Sequence, residues 1–370
     1  MPDQGFIVTP TTTLIDVALD PAHNVLHSLM LLAQSEHTSG FGEWVSRTAT
    51  ALSATEREMV KLVTIGLHYA TVPTSSWPSF PAYVDHLAAM EPLALRDKLL
   101  DTYSSILPLS EQGFQGMSAQ PLSVDKEAIL ADVDAYLAFL RERFDADHMD
   151  EALEAKAYTY VIDPPAMQAL IVSHLREMWA KYLAPEWARV EPMLQDAVRA
   201  FQQVDLASMG VQGAIEYVTG QEFEENKWSC VLGEATHITF VPSAHVGPYI
   251  GRYGIACERA WILFGARLPK GVQIQAPDLD RNEILVRLNA LADDNRLRIL
   301  RFVAEQGEQC SSEIMDHLAL SQSTVSRHLN QLAASGYLSA RRVDGAKCYQ
   351  LHPERIEETL QAISAYLLSS

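Results

Sequence analysis

Between Ser321 and Gly336 the chain reads SQSTVSRHLNQLAASG. Ser321 has the residue type and position to cap a helix. At about 100° per residue, Leu329 and Leu332 fall within roughly 40° of Val325, so these three predict a buried side. Ser323, Arg327 and Asn330 lie opposite, with Thr324, Ser326 and Gln331 flanking them. Gln322 points nearer the buried side but stands in the open first turn, where it can still reach a phosphate. The outward face carries small hydroxyls, amides and one guanidinium, and no acidic residue occurs in the helix. Hydroxyls and a helix N-terminus suit phosphate, while Gln, Asn and Arg suit base edges in a major groove. His328 lies at the boundary. A buried, hydrogen-bonded histidine is the plainer reading there, and a base contact the alternative.

Taken alone, this stretch reads equally well as a polar surface helix. The next sixteen or so residues decide between the two. YLSARRV and AKCYQLH flank Asp344-Gly345, the pair favoured by a tight type I′ hairpin. Arg341, Arg342 and Lys347 bracket that turn, where a hairpin beside the helix would meet the next phosphate or the minor groove.

Charge agrees with this placement. The 370 residues carry a formal −19, of which −18 lies in residues 1–280 and −1 in residues 281–370. Within the latter, residues 321–353 hold four basic residues against one acid, a local +3. An acidic body repels DNA, so contact is expected only at this basic island. Hydrophobic residues at 48% and charged residues at 20% are ordinary for a globular chain able to bury a core. No apolar run is long enough for a membrane span. The start MPDQGFIVTP has no basic region followed by an apolar run, so no signal peptide is expected. Cys230, Cys257, Cys310 and Cys348 are far apart without a CxxC pattern, and we read them as reduced thiols of a cytoplasmic protein.

Hydrophobic periodicity outlines the scaffold for this helix and hairpin. The fold class is mainly α (α+β): a helical amino-terminal domain, residues 1–275, followed by a winged helix-turn-helix, residues 281–370. SATEREMVKLVTIGLHYA opens with Ser53 and Glu56 at capping-box spacing. SVDKEAILADVDAYLAFLRERF predicts a helix capped by Ser123, with Ile129, Val133, Leu137 and Leu140 as its stripe. Further helices are expected near 20–35, 91–106, 147–158, 166–183 and 187–204, with Pro164-Pro165 breaking the chain between two of them. KWSCVLG, HITFVPS and ERAWILFGARL predict a few short strands near 228–266. QAPDLD, 275–280, reads as a linker. Asp280 with Glu283 is expected to cap RNEILVRLNALA, and Asp293 to cap DNRLRILRFVAEQ, with Leu297, Leu300 and Val303 inward. Ser311 or Ser312 caps SEIMDHLAL, and PERIEETLQAISAYLL closes the chain with a stripe of Ile356, Leu360, Ile363 and Leu367.

LNALADDNRLRILRFV together with LSQSTVSRHLNQLAASGYLSARRVDGAKCYQL resembles the DNA-binding domain of the ArsR family of bacterial regulators, over residues 283–352. Asp294 departs from the proline common there, though an acid in a first turn still suits a helix start. The resemblance implies a transcriptional regulator, by default a repressor, that binds double-stranded DNA as a homodimer joined through the first and last helices of this domain. The closing stripe fits that joint, and equally fits packing within one subunit. Relatives of this kind often sense metal through paired cysteines at the third helix or Asp/His sets on the last. Here GEQCSSEIM offers Cys310 but Ser312 in place of a partner, and the last helix has no histidine, so no metal site is expected.

The long amino-terminal segment, with TFVPSAHVGPYI, resembles extensions on some larger ArsR-like regulators. All six tryptophans (Trp44, Trp77, Trp179, Trp187, Trp228 and Trp261) lie there. Their plainer reading is core, and the alternative is an apolar pocket for a small organic effector. HNVLH puts His23 and His27 on one helical face, a spacing that could hold metal but lacks a third ligand. No GxGxxG, GxxxxGK[ST], HExxH or GxSxG occurs, and no cofactor is expected. An enzymatic or protein-binding amino-terminal module, with the winged helix serving protein contacts, is the alternative.

Overall fold

The computed structural model describes residues 13–35, 40–108, 124–145, 149–221, 223, 228, 235–254, 258–267, 277–343 and 346–368. Its amino-terminal part runs β1 (Leu14–Val17), α1 (Pro21–Gln34), α2 (Glu43–Ala51), α3 (Ala54–Lys61), α4 (His68–Thr71), α5 (Phe80–Ala89), α6 (Pro92–Ser105), α7 (Lys126–Ile129), α8 (Val133–Arg141), α9 (Glu151–Val161), α10 (Pro164–Met178), α11 (Ala184–Phe201), α12 (Gly210–Thr219), β2 (His237–Ser243), β3 (Gly251–Tyr253) and β4 (Arg259–Gly265). Then come α13 (Pro277–Leu291), α14 (Asp294–Gln306), β5 (Gln309–Cys310), α15 (Ser311–Leu318), α16 (Gln322–Ala334), β6 (Leu338–Val343), β7 (Ala346–Leu351) and α17 (Pro353–Leu368). The chain is mainly helical with few strands.

Helix starts obey local chemistry. Glu56 N–H donates to Ser53 Oγ at 3.2 Å and Ser53 N–H to Glu56 Oε2 at 2.8 Å, the reciprocal capping box. Asp125 and Asp132 each cap a helix, so the long helix expected from residue 123 is split into α7 and α8; Ser123 itself lies outside the described residues. Pro164 stands at the first position of α10, where its missing N–H costs nothing.

The amino-terminal sheet has the order β1-β2-β4-β3, with β1–β2 and β2–β4 parallel and β3–β4 antiparallel. Ile238, Phe240, Ile262 and Phe264 face one core with Phe201 and Ile215, whereas Val241, Trp261 and Leu263 face the other side with Tyr253. Coverage on both faces is why HITFVPS and RAWILFG are near-continuous apolar runs. The strand expected at KWSCVLG lies, apart from Trp228, outside the described residues.

Helix α1 meets this sheet with polar side chains rather than apolar ones. Asn24 Nδ2 donates to the Pro242 carbonyl at 3.1 Å, and His27 Nδ1 lies 2.8 Å from the Tyr253 hydroxyl. Ser28 Oγ lies 2.8 Å from His245 Nδ1, whose Nε2 is 2.9 Å from Glu186 Oε1. His23 stacks on Trp261 with ring centroids 4.5 Å apart. The i, i+4 spacing of His23 and His27 thus serves helix-to-sheet packing.

The winged helix has its own core of Ala290, Ile299, Leu300, Val303, Ile314, Val325, Leu329, Leu332, Tyr337 and Tyr349. Three sequence expectations are corrected here. Helix α13 already begins at Pro277, so residues 277–280 are helical rather than linker and Asp280 is not a cap. Leu297 is 51% exposed, because at about 100° per residue it falls on the flank of the buried stripe of Arg296, Ile299, Leu300 and Val303. Cys310, not a serine, occupies the N-cap of α15, with its N–H donating to Glu313 Oε2 at 2.7 Å.

Candidate nucleic-acid interface

Helix α16 is oriented by burial of Val325, Leu329 and Leu332, each at most 1% exposed. Ser321 Oγ accepts from Thr324 N–H at 3.3 Å and caps it. The preceding turn contains Ala319 at φ 54°, ψ 41°, the left-handed cap that ends α15. Gln322, Ser323, Ser326, Arg327 and Asn330 are then exposed and Thr324 half-buried. The hydroxyls of Ser323 and Thr324 lie 3.2 and 2.8 Å from Ser321 Oγ, concentrating three hydroxyls at the positive helix end.

The wing is antiparallel, with Arg342 paired to Lys347 and Val343 to Ala346. The Asp344-Gly345 turn lies outside the described residues. Arg342 and Lys347 are both exposed and directly opposite each other across the wing. Arg341 departs from its expected role: its guanidinium grips both carboxylate oxygens of Glu308. In return Arg341 holds the Glu308 carboxyl below its ordinary pKa. A phosphate must compete with Glu308 for Arg341.

Sequence reasoning placed Gln331 on the outward flank, yet it is 1% exposed. Its Oε1 accepts from Arg296 Nη1 at 2.9 Å, and Arg296 also donates to the carbonyls of Ala290 at 2.6 Å and Asn289 at 2.7 Å. This buried arginine ties the end of α13, the start of α14 and α16 together. Its signal was present as an arginine three residues after the cap Asp293, but that spacing alone does not reveal a long-range partner. His328 is buried as expected but is not the hydrogen-bonded histidine expected: Nδ1 lies 3.9 Å from Asp293 Oδ1 and neither ring nitrogen is hydrogen-bonded. Burial lowers its pKa, leaving it neutral.

The cysteine expectation is overturned for one pair. Cys310 and Cys348 stand opposite each other on β5 and β7 and form a disulfide. It closes a loop holding both helices of the helix-turn-helix and the first wing strand. Cys230 and Cys257 lie outside the described residues. Among the described residues no group of three or more His, Cys, Asp or Glu is placed to hold a metal ion, and no helix is long and apolar enough to cross a membrane.

A family model described as "Bacterial regulatory protein, arsR family" matches residues 293–340. Arsenic resistance transcriptional regulator ArsR2 of Pseudomonas putida is 39% identical over 85 residues, covering 21% of this chain and 74% of that protein. ArsR1 of the same organism is 47% identical over 64 residues, 17% of this chain and 50% of that one. The probable mercury resistance operon repressor of Streptomyces lividans is 50% identical over 58 residues, 16% and 45% respectively. The chain thus spans about half the length of the last two. The crystal structure of NolR from Sinorhizobium fredii is 29% identical, with 25% of this chain and 94% of that chain covered at a TM-score of 0.21.

Proposed function

The chain belongs to the arsR family of bacterial regulatory proteins, and from that premise we propose that it is a sequence-specific DNA-binding transcriptional regulator acting as a repressor. The observation that carries this reading is one surface: Ser323, Arg327 and Asn330 exposed on a helix anchored by Val325, Leu329 and Leu332, beside the cationic pair Arg342 and Lys347. Helix residues address base edges and N-terminal hydroxyls address phosphate, while the wing adds backbone charge. The repressor sign rests on relatives named as operon repressors.

The same reading makes the active species a homodimer in the cytoplasm, where the chromosome is. Leu285 and Leu288 of α13 and Leu360, Tyr366 and Leu367 of α17 are 37–69% exposed, a large apolar surface for one short helix pair. Two copies joined there present two recognition helices to half-sites about one helical turn apart. The amino-terminal part then acts as the sensor.

An enzymatic amino-terminal part is less well supported. The chain Ser28–His245–Glu186 has the residue types of a nucleophilic relay, but the cavity beside it is about 10 Å³, room for at most one water. The test is selection of bound duplexes from random genomic fragments. A recurring motif with two half-sites supports the reading, and the absence of any salt-sensitive DNA binding refutes it.

A further inference from the structure

The amino-terminal part touches the recognition helix directly. Gln221 Nε2 donates to the carbonyls of Pro248 at 2.8 Å and of Ala334, in the last turn of α16, at 3.3 Å. Gly40, at φ +95°, packs so close that a Cβ there would stand 2.7 Å from Gln331 Nε2. Glycine at this position allows an approach of backbone to α16 that a side chain would block.

This seam runs beside the proposed DNA surface. Ser323 and Arg327, in the first half of α16, are exposed. Asn330, a turn further on, and Lys347 of the wing instead line a cleft of about 690 Å³ whose opposite wall is Met30, Leu31 and Gln34 of α1 together with Phe41. That volume is a cube roughly 9 Å on edge, narrower than a major groove about 12 Å wide even before two phosphate backbones are added. A duplex in contact with both Asn330 and Lys347 therefore has no room beside α1. Charge opposes it as well: residues 1–280 carry a formal −18, and Glu222, Glu224 and Glu225 follow Gln221 closely in sequence.

We propose that the contact between the amino-terminal part and α16 is autoinhibitory: the seam at Gln221 and Gly40 holds a DNA-incompatible conformer, and a duplex binds fully only when that seam opens. The proposal rests on the regulator reading, because it takes Asn330 and Lys347 as DNA contacts. Its consequence is a sign of regulation. A closed seam weakens the apparent affinity by the fraction of chains that are open, so a ligand that favours the open form strengthens DNA binding. For a repressor, such a signal acts as a corepressor. By the same linkage, bound DNA holds the seam open.

The test uses the full chain, a selected duplex and Gln221→Glu, which sets a carboxylate against the two carbonyls that Gln221 Nε2 now serves. The added negative charge alone would weaken DNA binding, so simple electrostatics runs against the expected result. Loss of the seam hydrogen bond should instead tighten binding about threefold to tenfold in anisotropy titrations. The second readout is oxidation of Met30, on the cleft wall, by hydrogen peroxide, followed by peptide mass. Saturating duplex should speed it in the wild-type chain, and Gln221→Glu should speed it without DNA. If Gln221→Glu fails to fold, Gln221→Ala removes the same hydrogen bond without the charge and should tighten binding at least about twofold. Affinity that is unchanged or weaker in a folded Gln221 variant overturns the autoinhibition. So does a bound duplex that leaves Met30 oxidation unchanged or slows it. Both of those results leave the regulator reading standing. No duplex bound by wild type or variant at any salt concentration sinks that reading, and the autoinhibition with it.

Discussion

Arg296 Nη1 donates to Gln331 Oε1 at 2.9 Å inside the winged helix, where Arg296 is 7% and Gln331 1% exposed. The same guanidinium satisfies two carbonyls at the end of α13, so one side chain ties that helix to α16. Arg296→Ala leaves those acceptors buried and unpaired, at a cost of about 2–4 kcal/mol. We expect denaturant unfolding of the winged helix to show that loss. DNA affinity should fall at every sequence together, because positioning is lost and not a base contact. Stability unchanged within about 0.5 kcal/mol would contradict the role.

Wing contacts should be separable by salt. On the proposed reading Arg342 holds one phosphate, and Arg342→Ala should reduce the slope of log K against log salt by about one. Arg341→Ala should change it less, since Glu308 already occupies that guanidinium. Glu308→Gln should do the reverse of a lost contact, releasing Arg341 and tightening binding to all sequences. Equal effects of Arg341→Ala and Arg342→Ala in salt titrations would show that Glu308 yields freely to phosphate.

The Cys310–Cys348 disulfide predicts a specific labelling pattern. Alkylation of the purified, unreduced chain should leave these two cysteines unmodified, and prior reduction should expose them, as read by peptide mass. For a loop of this length the chain-entropy model gives the bond roughly 3–4 kcal/mol, so reduction should lower the unfolding midpoint of the winged helix. Full alkylation without reductant would mean that the pair is dithiol in solution.

Acid should destabilise the amino-terminal part. Burial holds His27 at about 3, and His68 and His174 at about 4, each below the ordinary 6.5. Below pH 6.5 the unfolded chain takes up protons that the folded chain refuses, so stability falls from pH 6.5 toward 4. Glu154 works in the opposite direction. Burial raises it to about 8, so the folded chain retains a proton that the unfolded chain releases above 4.5, and stability falls as pH rises toward 8. Thermal melts should therefore drop on the acid side, and Glu154→Gln should raise the melting temperature most at pH 8. An unchanged melting temperature for that variant at pH 8 would rule out the buried proton.

Much of the candidate surface's geometry was legible because its causes are local. Val325, Leu329 and Leu332 repeat at helical spacing, Ser321 caps, and the basic residues flank a two-residue turn, so orientation is settled without tertiary knowledge. Gln331 was misread, and the Glu308 partner of Arg341 was not foreseen, for one shared reason: each is engaged by a residue distant in sequence, Arg296 and Glu308 respectively, and local patterns cannot see such partners. The disulfide escaped notice similarly, since 38 residues separate Cys310 from Cys348 and only the β5–β7 pairing brings them together. In the amino-terminal part the helices were readable from caps and stripes. Strand β1 was not, because its partner β2 lies more than 200 residues downstream. The His23 and His27 pair on α1 could not be read in isolation either, because His23 stacks on Trp261 and His27 meets the Tyr253 hydroxyl, both distant in sequence.

The decisive measurement is the binding of a selected operator duplex by wild-type chain and by Arg327→Ala, each repeated with single base-pair changes across one half-site. A base-reading Arg327 predicts a loss of about 1–3 kcal/mol and, at one position, indifference of the variant to base changes that wild type discriminates. Wild-type affinity and an unchanged preference at every position would contradict the claim that the helix from Gln322 to Ala334 reads DNA.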